Sequence, residues 1–163
     1  MHSNASSAGE PGVVPVADAV LLASRALVAV AARSLGAAGV EVTLPQYRAL
    51  VVLAARGPQG VGGLALSLGV APSTVTRMGA RLVHKGLVSR RTPAADRRQS
   101  ELALTKSGRQ LVDDVTGSRR SEIARVVESL SPAQRTQLVE ALGVFANAAG
   151  ELPDADWAAG WAL

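Results

Sequence analysis

The chain has 163 residues, 17 Lys and Arg against 13 Asp and Glu for a net charge of +4, 48% hydrophobic residues and no cysteine. That length suits one domain with helical extensions and is enough to bury a real core. Lacking cysteine, the chain has no disulfide scaffold, thiolate zinc site, cysteine nucleophile or thiol redox sensor; two histidines, His2 and His84, do not build a metal centre, so no cofactor is expected.

Residues 1–14 hold Ser, Asn, Gly and Pro without periodicity and read as a disordered tail. From about Val16 to Leu35, Val20, Leu21, Leu27, Val28, Ala31 and Leu35 recur at helical spacing, and Gly36 and Gly39 end the helix. Ser24 and Arg25 interrupt this richest apolar stretch, so no run reaches the ~18 residues of a membrane span. Thr43-Leu-Pro-Gln46 reads as a capping box that opens a second helix, with Thr43 as the cap and Gln46 reaching back to it. Leu50, Leu53 and Ala54 give that helix a core face before Gly57-Pro58 stops it.

A short helix from Gly62 to Leu68 closes at Gly69, and a brief turn leads to another beginning near Pro72. Proline at the first helical position wastes no hydrogen bond, because that N–H has no partner within the helix. Val75, Met78, Leu82 and Val83 point inward, which leaves Ser73, Thr74, Thr76, Arg77 and Arg81 for an outward face. Two helices joined by a tight turn, the second polar and basic outside, make a helix-turn-helix pattern.

After Gly86, Leu87–Arg91 and Gln99–Leu104 read as short strands, the second with Leu102 and Leu104 inward. Residues 92–98 form the hairpin tip, carrying Arg97 and Arg98, and the pair makes a two-stranded wing. Thr105 caps a long helix running to about Leu130, with Leu111, Val115, Ile123, Val126, Val127 and Leu130 as its apolar positions. Ser131-Pro-Ala-Gln134 is a second clean helix start, followed by Leu138, Leu142, Phe145 and Ala149 at helical steps. This helix packs along its predecessor or along a partner's copy. The tail from Gly150 holds Trp157 and Trp161, whose spacing in so short a segment decides little.

The charge is uneven. From Ser73 to Arg109 nine basic residues oppose only Asp96 and Glu101, a balance of +7, and the remainder carries −3. A weakly acidic body with one strongly basic segment is the layout of a nucleic-acid binder, or of a solvated basic surface; charge alone does not separate the two. Aromatics at 2% argue against stacking platforms for single strands. The N-terminus lacks the basic flank and apolar stretch of a signal peptide, so the expectation is a soluble, cytoplasmic protein with no membrane partner.

In this order the segments resemble the multiple-antibiotic-resistance regulator (MarR) family of winged-helix transcription factors, over about Val16 to Ala149. The strongest element is Asp96-Arg-Arg-Gln-Ser-Glu-Leu-Ala-Leu104-Thr105, which matches the family's wing signature at Asp96, Arg98, Leu104 and Thr105. Leu64–Val70, Ser73–Arg77 and Leu82–Val88 are also similar to its usual wording, although Ala71 stands where the family often has a hydroxyl or carboxylate cap. The resemblance implies a mainly α fold with a small β-wing, a winged helix-turn-helix whose terminal helices form a dimerisation domain. On that reading residues 15–42 are the N-terminal dimerisation helix and 43–105 the DNA-binding domain. Residues 106–149 are the C-terminal dimerisation helices and 150–163 a tail.

It further implies that Arg98 enters a minor groove, where a narrow groove concentrates negative potential. Asp96 would hold that guanidinium in a bidentate pair, and Arg97 touch phosphate. On the recognition helix Ser73, Thr74 and Thr76 reach bases or phosphates, or simply cap the helix; Arg77 contacts guanine, pairs with Asp96 or lies along phosphate, and Arg81 joins the same face. The expected partners are a palindromic double-stranded DNA operator, a second copy of the chain, and a small phenolic or anionic effector. Tyr47, Arg48 and Arg33 could line an effector pocket, but read more simply as a core residue and two surface or interface charges. Two other classes fare worse. A winged-helix module that binds protein needs no basic outward helix. An enzyme needs a nucleophile beside a base, and Ser73 and Ser100 have no histidine partner except His84, so the chain is not expected to be an enzyme.

Overall fold

The computed structural model describes residues 11–92 and 100–151. The wing-tip residues Asp96, Arg97 and Arg98 and both tryptophans lie outside the described residues. In chain order the elements are α1 (Val13–Ala37), α2 (Leu44–Arg56), β1 (Gln59–Gly60), α3 (Val61–Leu68), α4 (Pro72–His84), β2 (Val88–Arg91), β3 (Glu101–Leu104), α5 (Lys106–Val127) and α6 (Pro132–Ala148).

Both capping boxes form as their sequences require. Thr43 Oγ1 accepts the Gln46 backbone N–H at 3.4 Å while Gln46 Oε1 accepts the Thr43 N–H at 3.1 Å. Ser131 and Gln134 repeat this exchange at the start of α6, at 3.3 and 2.9 Å. α3 ends on Gly69 in the left-handed region (φ 65°), which lets Val70 N–H reach back to Ala65 O at 3.1 Å. The resulting turn to Pro72 is short enough to set α3 and α4 as the two arms of a helix-turn-helix.

The sheet differs from the two-stranded expectation. It has three antiparallel strands in the order β1-β3-β2, with Gln59 opposite Leu102 and Arg90 opposite the same residue from the other side. β1 is only two residues long, too short for any alternation to announce it. Leu87 is not part of β2: its N–H closes α4 by bonding Leu82 O at 3.0 Å. β3 buries Leu102 and Ala103 and leaves Leu104 half-buried, so its inward set is displaced from the expected Leu102 and Leu104.

The core lies beneath the helix-turn-helix, where Leu50, Leu53, Leu64, Val75, Leu82, Val88, Val112 and Val115 are almost fully buried. Two close approaches hold the end of α4 to this core. A Cβ on Gly79 of α4 would stand 2.8 Å from Leu102 Cδ1 of β3. One on Gly108 of α5 would stand 2.0 Å from the carbonyl oxygen of Leu87. Thr105 fastens the same joint, its hydroxyl accepting from Gly108 N–H at 3.0 Å and donating to Gly86 O at 2.7 Å.

The terminal helices are a different environment. α1 begins at Val13, a few residues before the expected start, and buries only Val30, Ala31, Ser34 and Leu35; Leu21, Leu22, Leu27 and Val28 are exposed. α6 buries nothing: Leu142 is 50% and Phe145 52% exposed. α1 is also long and apolar enough, by length and composition, to cross a membrane. Neither Ser24, whose hydroxyl bonds back to Leu21 O at 2.7 Å within the helix, nor the charge of Arg25 breaks that stretch.

Candidate nucleic-acid interface

α4 is amphipathic by its spacing. Val75, Met78, Gly79 and Leu82 fall on one side and are buried, which turns Ser73, Thr76, Arg77 and Arg81 outward. Val83, expected inward with them, is half-buried at the core's edge. Pro72 opens the helix and Ala71 supplies no side-chain cap; Thr74 N–H bonds the Ala71 carbonyl at 2.9 Å, and Ser73 N–H is given no side-chain acceptor by the cap position. That end carries the helix's partial positive charge.

The five residues expected on the outward face divide by where they stand and what they already do. The Thr76 hydroxyl donates to Pro72 O at 3.1 Å, so its proton is committed to its own helix and only its lone pairs remain for a ligand. Thr74 is half-buried, facing the start of α2. Ser73 is exposed. Arg77 and Arg81 are exposed, and among the described residues neither guanidinium has an ion-pair or side-chain hydrogen-bond partner.

Those two arginines also have a location that the sequence did not single out. With Thr74 and Met78 they form one wall of a cleft of about 260 Å³, and the other wall is Thr43, Pro45 and Gln46 at the start of α2. The capping box was the available signal, since it says where α2 begins, but not that this end abuts α4. Arg90 and Arg91 extend the basic surface along β2, with Arg91 opposite Glu101. Lys85, just past α4, donates to the Glu41 backbone carbonyl and ties the helix-turn-helix to the α1–α2 connection.

The proposed effector-lining residues are engaged within the protein. Tyr47 is 5% exposed, its hydroxyl 3.1 Å from Thr116 Oγ1 and 3.5 Å from Val112 O. Arg33 Nε donates to Glu122 Oε1 at 2.9 Å across α1 and α5, and Arg48 pairs with Glu151 just beyond α6. On α5, burial raises the Asp113 carboxyl from its ordinary value, against the opposing pull of the Arg109 guanidinium; the Asp114 charge adds to the rise.

The sequence profile of the MarR family matches residues 42–100. An uncharacterised HTH-type transcriptional regulator of Mycobacterium bovis, Mb0904, is 31% identical over 112 residues, covering 69% of this chain and 78% of its own. The HTH-type transcriptional repressor MdtR of Bacillus subtilis is 32% identical over 108 residues, covering 66% and 70%. Among solved structures, RV1404 from Mycobacterium tuberculosis superimposes with a TM-score of 0.81 at 46% identity, over 89% of this chain and 99% of that one.

Proposed function

Because this chain belongs to the MarR family of helix-turn-helix transcriptional regulators, we propose that it acts in the cytoplasm as a homodimeric repressor of a palindromic operator, released by a small phenolic or anionic ligand. The observation that carries the DNA-binding reading is the outward face of α4, where Arg77 and Arg81 are exposed beside the start of α2 and have no side-chain partner among the described residues. A helix fixed by Gly79 and Gly108 against a rigid core can present such a face to a major groove, its N-terminal residues towards the base edges. Arg98, and Arg97 beside it, supply the minor-groove and phosphate contacts of the wing, and Asp96 buttresses Arg98. The likeness to a named repressor, MdtR, supports repression over activation.

One reading head buries too little surface for tight, specific binding; two, related by a dyad, read half-sites about one helical turn (~10 bp) apart. The uncovered apolar faces of α1 and α6 support that dyad. The test is selection of bound fragments from the source genome, repeated with candidate phenolic acids. An enriched inverted repeat, lost on ligand addition and weakened by ~10³–10⁵ between 50 and 200 mM salt, is the expected result for ~6–10 phosphate contacts. Arg98→Ala should lose operator affinity at unchanged thermal stability. Failure to enrich any site, or normal binding by Arg98→Ala, overturns the corresponding part of the reading.

A further inference from the structure

Where α1 hands over to α2 the surface is concave. Ala32, Leu35 and Gly36 of α1, Gly39–Val42 of the connection and Leu44 at the head of α2 enclose an open groove of about 380 Å³. Its lining is apolar except for Glu41, whose backbone carbonyl is taken by Lys85. Its floor is low because a Cβ placed on Gly36 or Gly39 would meet nothing within 4 Å. Leu44 and Val40 on its rim are more than a third exposed, so the single chain leaves this apolar surface in water.

The chain's own C-terminal segment is delivered to this place. Glu151 pairs with Arg48, and Arg48 lies four residues after Leu44, one turn along the same face of α2. The segment that follows, Leu152-Pro-Asp-Ala-Asp-Trp157, carries two aspartates and ends on the aromatic residue. Six residues span at most ~20 Å, several times the ~6 Å between adjacent turns of α2. A tryptophan carries 150–250 Å² of surface that gains from leaving water, and a shallow apolar groove rimmed by polar backbone suits a ring with one N–H to place.

We propose that Trp157 of the C-terminal segment docks into the α1–α2 groove of its own chain, with the Arg48–Glu151 pair as its anchor. The segment thereby bridges the dimerisation helix and the DNA-binding domain at the point where they join. The reading is independent of DNA binding and can be sought in the free protein.

Trp157 and Trp161 are the chain's only tryptophans, so intrinsic fluorescence reports on this segment alone. In a Trp161→Phe background, Trp157 should emit at short wavelength and resist acrylamide. Leu44→Asp, which charges the rim, and Gly36→Leu, which fills the floor while favouring the helix, should each shift the emission to that of a water-exposed indole and raise quenching several-fold. Far-ultraviolet circular dichroism, unchanged, shows that the variants fold. Arg48→Glu should do the same in part, and Glu151→Arg added to it should restore protection. A Trp157 already exposed in the parent, or one protected in the parent and indifferent to both groove variants, overturns the proposal; the second result places the indole on the partner copy or elsewhere on the body.

Discussion

At the scale of single residues, the least replaceable positions carry no function of their own. A methyl group on Gly108 would sit 2.0 Å from the Leu87 carbonyl oxygen, and that oxygen is backbone already bonded to Thr105 N–H at 3.1 Å, so neither side can yield. On Gly79 the obstacle is the mobile end of Leu102, which can rotate away. Gly108→Ala should therefore destabilise by at least the upper part of the ~1–3 kcal/mol that overpacking costs, and Gly79→Ala by clearly less, measured by denaturant melts. Equal losses would mean that the α5 joint relaxes. Arg77 poses the opposite question, one of function without structural weight. Exposed and without a partner among the described residues, it can be truncated at little cost in stability, and Arg77→Ala should lower operator affinity and relax discrimination at one base pair by ~1–3 kcal/mol. Since Arg77 also walls the cleft against the start of α2, a loss uniform across sequences would reassign it to phosphate.

At the scale of elements, what could be read from sequence follows from how local the determining physics is. Thr43, Ser131 and Thr105 announced three helix starts because a cap is a contact within four residues, and all three form. The inward face of α4 was legible from spacing in Val75, Met78 and Leu82; Gly79 was not, because its burial comes from β3, distant in sequence. β1 was missed for the same reason: Gln59 and Gly60 are a strand only because β3 offers an edge there. Of the site, Ser73, Thr76, Arg77 and Arg81 stand outward as their spacing implied, whereas the cleft they share with α2 depends on a tertiary contact no periodicity encodes. The uncapped start of α4 has an energetic consequence. Ala71→Ser should stabilise the protein by about 1 kcal/mol by giving a first-turn N–H an acceptor, visible as a rise in melting temperature. If it also weakens operator binding, those N–H groups are used by DNA phosphate, and the missing cap is part of the reading surface.

At the scale of the whole molecule, the terminal helices leave apolar surface uncovered in one chain. α1 and α6 expose Leu21, Leu27, Val28, Leu138, Leu142, Val144 and Phe145, while the core beneath the helix-turn-helix, shared with Leu35 of α1 and Val112 and Val115 of α5, is closed. Buried in a lipid bilayer, α1 would have to leave α5, along which it packs and to which Arg33 and Glu122 bind it. A second copy would cover the same surface without breaking those contacts. An obligate interface of that kind makes folding depend on protein concentration, since association stabilises only the folded state. The melting temperature should rise with concentration, and Leu142→Glu combined with Phe145→Glu should abolish that rise. Light scattering should then give the mass of one chain, with operator affinity lost and the weaker, salt-sensitive binding to arbitrary duplex retained, because α4 and its arginines are untouched. A variant that stays dimeric would move the interface off α6; one that is monomeric yet binds its operator undiminished would show that a single reading head suffices.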